Sequence, residues 1–175
     1  MLHFVCESRR LVPLFKVAKA IAQAGRTSCH VIYSGTHEAI AREQAEAAGA
    51  SDLLISTGLI SLPEANYIMS KATANVVLIS EDYEYMYPGK LWDSIAAGRP
   101  VIVIGKANGD SAQLVSRLGL GIVLPTHEDV DIATFLEELK AIDASDLSSK
   151  AQSLEVETIY DPFVREFEPE PEPAG

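Results

Sequence analysis

Pro88-Gly89-Lys90-Leu91-Trp92-Asp93-Ser94-Ile95-Ala96-Ala97-Gly98-Arg99-Pro100-Val101-Ile102-Val103-Ile104 is the stretch on which the reading of this chain turns. Pro88-Gly89 breaks the preceding loop, Leu91, Trp92, Ile95 and Ala96 fall on one face of a short amphipathic helix, and Gly98 ends it. The strand 101–104 then runs straight into the core. A helix N-terminus carries unpaired N–H groups and the positive end of the macrodipole, so a diphosphate can sit there without a P-loop. Lys90, just inside that start, is unfavourable with the dipole unless an anion offsets it. Asp93, one turn further, is placed to accept from two hydroxyls of a ribose. Together they point to a nucleotide-linked ligand.

Outward from this stretch, short apolar runs alternate with helical patterns. Residues 2–6 form a first strand, and Leu11, Leu14, Phe15, Ala18, Ile21 and Ala22 then recur at helical spacing until Gly25. Residues 29–33 are a second strand, followed by an alanine-rich helix over 38–48 that Gly49 can cap. A third strand over 53–56 leads to Ser61 and Glu64, whose spacing spells a capping box for a helix running through Lys71. Strands four, five and six follow at 75–79, 100–104 and 121–124. Asp110 and Gln113 open a helix that Gly119 closes, and Ile132, Phe135, Leu136, Leu139 and Ile142 face inward from a last long one.

Strands rich in Val and Ile without polar alternation are buried on both faces, as in a parallel sheet covered by helices. The fold expected is α/β, a three-layer, Rossmann-like, doubly wound parallel sheet of about six strands. Its ligand crevice lies at the C-terminal strand ends. The loops that can carry function are therefore 7–12, 34–36, 57–62, 80–90 and 105–110.

Gly89-Lys90-Leu91-Trp92-Asp93 followed by Ala96-Ala97-Gly98-Arg99-Pro100-Val101 resembles the donor-binding signature of GT-B-fold glycosyltransferases, in particular the retaining family 4. That pattern has a Lys, two apolar residues, a Glu or related residue, small residues and then Gly-x-Pro-Val. Here the acidic position is Asp93. In weaker form the likeness covers residues 2–142, in the order and spacing of a C-terminal half. The resemblance implies a nucleoside-diphosphate sugar as donor, UDP- or GDP-linked, and no cofactor or essential metal. It also implies that the acceptor is held by an N-terminal domain or separate subunit, through which peripheral membrane association stays open. The chain would then be inactive alone.

The family resemblance assigns further residues. The loop 80–87 and the helix start beyond it would touch sugar and diphosphate, giving Glu84, Gly89, Lys90, Leu91 and Asp93 as donor-binding residues. The first acidic residue of the family's pair falls on Tyr85 here, with Glu84 and Glu81 as neighbours that could serve instead. Gly58 and Ile60, in the loop 57–62, stand where the family binds the base. The family's Gly-Arg after strand one is replaced by Cys6-Glu7, and Val12 or Pro13 stands where its lysine should be. Arg9 and Arg10 lie in the same loop, and guanidinium forks suit phosphate oxygens. With Lys90 they are the candidate catalytic residues, stabilising the departing diphosphate. These departures also support a second reading, a catalytically inactive Rossmann-like regulatory or assembly module.

Composition narrows the classes. The 175 residues are 47% hydrophobic, enough for one domain with a core. A net charge of −11, from 14 Lys+Arg against 25 Asp+Glu, argues against nucleic acid. With the resemblance, the chain is expected to divide into a Rossmann-like nucleotide-sugar-binding domain over 1–143, a helical extension over 144–167 and an acidic, proline-rich tail over 168–175 expected to be disordered. By analogy with GT-B enzymes the extension crosses back to the other domain; packing on its own domain is the simpler alternative. Cys6 and Cys29 sit in apolar runs, which suits reduced thiols and a cytoplasmic location. The four histidines show no ligand spacing, so no metal site is expected. Neither Gly-x-Ser-x-Gly nor a dinucleotide fingerprint after strand one is present, which disfavours a hydrolase and an NAD enzyme.

Overall fold

The computed structural model describes residues 2–4, 11–23, 29–80, 82, 84–125 and 131–154. Within them, β1 (Leu2–Phe4), β2 (Val31–Ser34), β3 (Leu54–Gly58), β4 (Ala74–Leu78), β5 (Val101–Ile104) and β6 (Gly121–Leu124) form one parallel sheet in the order β3-β2-β1-β4-β5-β6. The helices are α1 (Val12–Gln23), α2 (Glu38–Ala47), α3 (Leu62–Lys71), α4 (Gly89–Ala96), α5 (Asp110–Arg117), α6 (Ile132–Ala141) and α7 (Ala144–Ser153). β1 pairs with β2 on one side and β4 on the other, with Leu2 opposite both Val31 and Ala74. The winding direction reverses between β1 and β4, and such a switch point opens the ligand crevice of a doubly wound sheet.

The expected doubly wound sheet is therefore present. Its two faces have separate cores, and β5 shows why. Ile102 and Ile104 join Leu14, Phe15 and Val17 of α1 and Phe135 of α6, while Val101 and Val103 join Leu91 and Ile95 of α4 and Val115 of α5. Alternate strand residues face opposite ways, so a central strand needs apolar side chains at every position. Each fully buried one contributes roughly 1.5–3 kcal/mol before the entropy cost of ordering it. At the sheet edge that requirement lapses. β3 alternates, with Ile55 and Thr57 exposed.

Several limits shift by a residue or two. β2 begins at Val31, with Cys29 buried just ahead of it. β3 spans Leu54–Gly58 because Leu53 closes a single 3-10 turn, Ser51–Leu53. Pro100 lies outside β5, as it has no N–H for the ladder, although its carbonyl accepts from Asn75 N at 2.8 Å. On α4 the buried stripe is Leu91, Ser94 and Ile95; Trp92 is half-buried and Ala96 exposed. α3 carries the capping box its sequence spells, Ser61 and Glu64 each bonding the other's backbone.

α7 packs on this same domain. Leu147 is buried in the second core, and Ala151 and Leu154 pack beside it. A Cβ on Gly98 would stand 2.7 Å from Ser148 Oγ, so α7 crosses α4 just where its helix ends. Residues 155–175 lie outside the described residues. No helix among the described residues is long and apolar enough to cross a membrane.

Candidate functional site

α4 begins at the C-terminal end of β4, directly beside the switch point. Pro88 caps it with no side-chain hydrogen bond, and Leu91 N donates to Pro88 O at 2.9 Å. The N–H groups of Gly89 and Lys90 have no partner among the described residues. Lys90 and Asp93 stand three residues apart, so they share one side of the helix on successive turns. Neither has an ion-pair or side-chain hydrogen-bond partner among the described residues, and Asp93 is exposed. Among the described residues, the helix start thus presents N–H donors, an ammonium and a carboxylate that no contact of the fold uses.

The start of α5 differs. Asp110 N donates to Glu84 O at 2.9 Å, and the buried Ser111 donates through Oγ to Met86 O at 2.6 Å. The Glu84 carboxylate meets Lys106 Nζ at 2.7 Å, with side-chain exposures of 17% and 42%. The loop between β4 and α4 is therefore fastened to Lys106 in the loop between β5 and α5 and to the first turn of α5. Its large side chains Tyr85, Met86 and Tyr87 are all exposed. Tyr87 also meets Trp92, ring centroids 5.8 Å apart.

The remaining expected site residues distribute as follows. Leu91 is fully buried, which corrects its place among ligand contacts. Its side chain belongs to the core, and its N–H is already given to Pro88. Gly58 ends β3 with φ +68°, a backbone conformation that favours glycine, and open space lies where a Cβ would be. Gly58 O accepts from Gly35 N at 3.0 Å, and Ser34 Oγ meets Thr57 Oγ1 at 2.7 Å, joining the ends of β2 and β3. Ile60, in the turn that follows, is half-buried. β3 and β4 are three strand spacings apart, about 14 Å.

Arg9, Arg10, Cys6 and Glu7 lie outside the described residues. Pro13 is in the first turn of α1, whose start is closed by Leu11 N donating to Gln44 Oε1 of α2. Among the described residues no group of three or more His, Cys, Asp or Glu is placed to hold a metal. Lys106 and Ser111 were missed by sequence reasoning, which reached the loop 105–110 without singling out a residue. A lone Lys and a lone Ser, far in sequence from the loop they hold, carry no periodic or motif signal.

Comparison with known proteins gives this geometry a setting. No family model matches the chain. A probable glycosyltransferase of Pseudomonas aeruginosa, WbjE, is 22% identical over 98 residues, 55% of this chain and 24% of that protein. AviGT4, a glycosyltransferase involved in avilamycin A biosynthesis, superposes with a TM-score of 0.69 at 17% identity, over 94% of this chain and 49% of its own. HepE of Anabaena, solved in complex with UDP, gives 0.60 at 20% identity, over 94% and 47%. The chain has the fold of one half of a GT-B glycosyltransferase. It spans about half the length of these GT-B structures and about a quarter of the curated relative.

Proposed function

We propose that the chain is the nucleotide-sugar-binding half of a family 4-like glycosyltransferase, which transfers a sugar from a nucleoside-diphosphate donor to an acceptor held by another domain or subunit. The observation that carries this reading is the start of α4 beside the switch point, where Gly89 N–H, Lys90 N–H, the Lys90 ammonium and the Asp93 carboxylate have no partner among the described residues. A diphosphate satisfies the donors and offsets the lysine's conflict with the helix dipole. Asp93 then accepts from ribose hydroxyls, and the turn at Gly58 and Ile60 takes the base. The UDP in HepE, whose fold this chain shares, supports a uridine or related diphosphate.

Chemically, these groups bind and orient the donor and stabilise negative charge as the diphosphate departs. Lys90 supplies the charge from α4, and Arg9 and Arg10 from the loop after β1. Glu84, five residues ahead of Gly89 in the loop that leads to α4, has its carboxylate held by Lys106. The test is titration of the purified chain with UDP, GDP and ADP by calorimetry, alongside Lys90→Ala and Asp93→Ala. The expected result is selective binding of one diphosphate, weakened about tenfold or more in each variant, as removal of one charge-assisted contact implies. No heat with any of them would favour the alternative, an inactive assembly module.

A further inference from the structure

We infer that Lys106 is a positioning residue for the diphosphate site, acting through Glu84; this rests on the reading of α4 as the donor site. The loop between β4 and α4 must deliver Gly89 and Lys90 to the ligand, yet its residues Tyr85, Met86 and Tyr87 are exposed and give it little core to pack against. What fixes it is polar. Glu84 O takes the first N–H of α5 from Asp110, Met86 O takes the Ser111 hydroxyl, and the Glu84 carboxylate takes the Lys106 ammonium at 2.7 Å. Three fastenings within three residues hold the segment that leads into α4.

Lys106 does a second thing. Glu84 is a mostly covered carboxylate five residues ahead of Gly89, and without a cation its charge would oppose an incoming diphosphate. Lys106 both anchors the loop and neutralises that charge. The two roles separate by substitution. Lys106→Met removes both, Lys106→Arg keeps both, and Lys106→Met with Glu84→Gln removes the charge conflict while leaving the anchor lost.

The experiment measures binding of UDP, GDP and ADP by calorimetry to the wild type and these three variants, with amide exchange of the peptide over 84–92 and thermal melting in parallel. The expected result is a loss of about tenfold or more in diphosphate affinity in Lys106→Met, recovery in Lys106→Arg and partial recovery in the double variant. Exchange over 84–92 rises in Lys106→Met and stays raised in the double variant. Diphosphate affinity unchanged in a folded Lys106→Met protein overturns the inference and leaves the donor site standing, as does a loss that neither Arg nor the Glu84→Gln change restores. No binding by the wild type overturns the donor site itself, and this inference with it.

Discussion

Arg99 Nε donates to the carbonyl of Ser70 at 2.8 Å, tying the residue before Pro100 and β5 to the last turn of α3. The cation of the Gly98-Arg99-Pro100 run is therefore part of the scaffold. It satisfies one of the carbonyls that a helix end leaves open, and it does so across the sheet order, between the long crossover and a central strand. Arg99→Met is expected to lower stability by about 1 kcal/mol, the usual worth of one such bond, with a fall of a few degrees in Tm. Diphosphate affinity should stay at the wild-type value. A calorimetric titration of the variant that showed lost affinity would return Arg99 to the ligand site.

Gly98 has two reasons to be glycine. Its φ of +64° lies in the left-handed region, and a Cβ there would stand 2.7 Å from Ser148 Oγ on α7. Gly98→Ala is expected to cost about 1 kcal/mol from the backbone alone, and more as Ser148 is displaced. Combining it with Ser148→Ala removes the hydroxyl but not the backbone strain. Denaturant melts should therefore show partial and not full recovery in the double variant; full recovery would mean that the backbone term is negligible here.

How much of this was legible beforehand depended on how local each cause is. β5 could be read as a central strand because all four of its side chains are apolar, and the structure buries all four. The Ser61–Glu64 capping box is a contact between residues three apart, so its spelling and its geometry coincide. Lys90 and Asp93 stood out for the same reason, being adjacent turns of one short helix. By contrast, Glu84 with Lys106 and Arg99 with Ser70 join residues separated by 22 and 29 positions. No periodicity marks such pairs; only the strand order brings them together. Leu91 misled because an apolar residue inside a binding motif reads alike whether it faces ligand or core.

Asp131 and Asp143 cap α6 and α7, each accepting a backbone N–H two residues on, at 3.1 and 2.8 Å. The Thr134 hydroxyl beside Asp131 and the Ser145 hydroxyl beside Asp143, with those N–H groups, hold both carboxyls below the ordinary aspartate value. A carboxyl whose folded value is depressed contributes stability above its unfolded value, and that contribution fades as the pH falls through the folded one. Stability should thus drop between about pH 5 and the folded values, with unfolded aspartate near 3.9. Melts across that window should be flatter for Asp131→Asn with Asp143→Asn than for the wild type. Equal slopes would mean that the caps carry no linked protons.

Gly121 begins β6 where the sheet leaves no room at all. A Cβ there would fall 1.7 Å from the Val101 carbonyl oxygen and 2.6 Å from its carbon, so the obstacle is backbone of β5 and not a side chain that could swing away. Relief requires β6 to move off β5, and the Val101↔Gly121 and Ile102↔Ile122 pairs are the first to part. Gly121→Ala is expected to cost more than about 2 kcal/mol, in the range reserved for overpacking against fixed atoms. The loss should appear in denaturant melts as a lower midpoint. Because β6 is an edge strand while α4 follows β4, the folded fraction should still bind diphosphate as the wild type does. Loss of binding in the folded variant would show instead that the start of α4 depends on the far edge of the sheet, through the β5 to α5 loop that Glu84 grips.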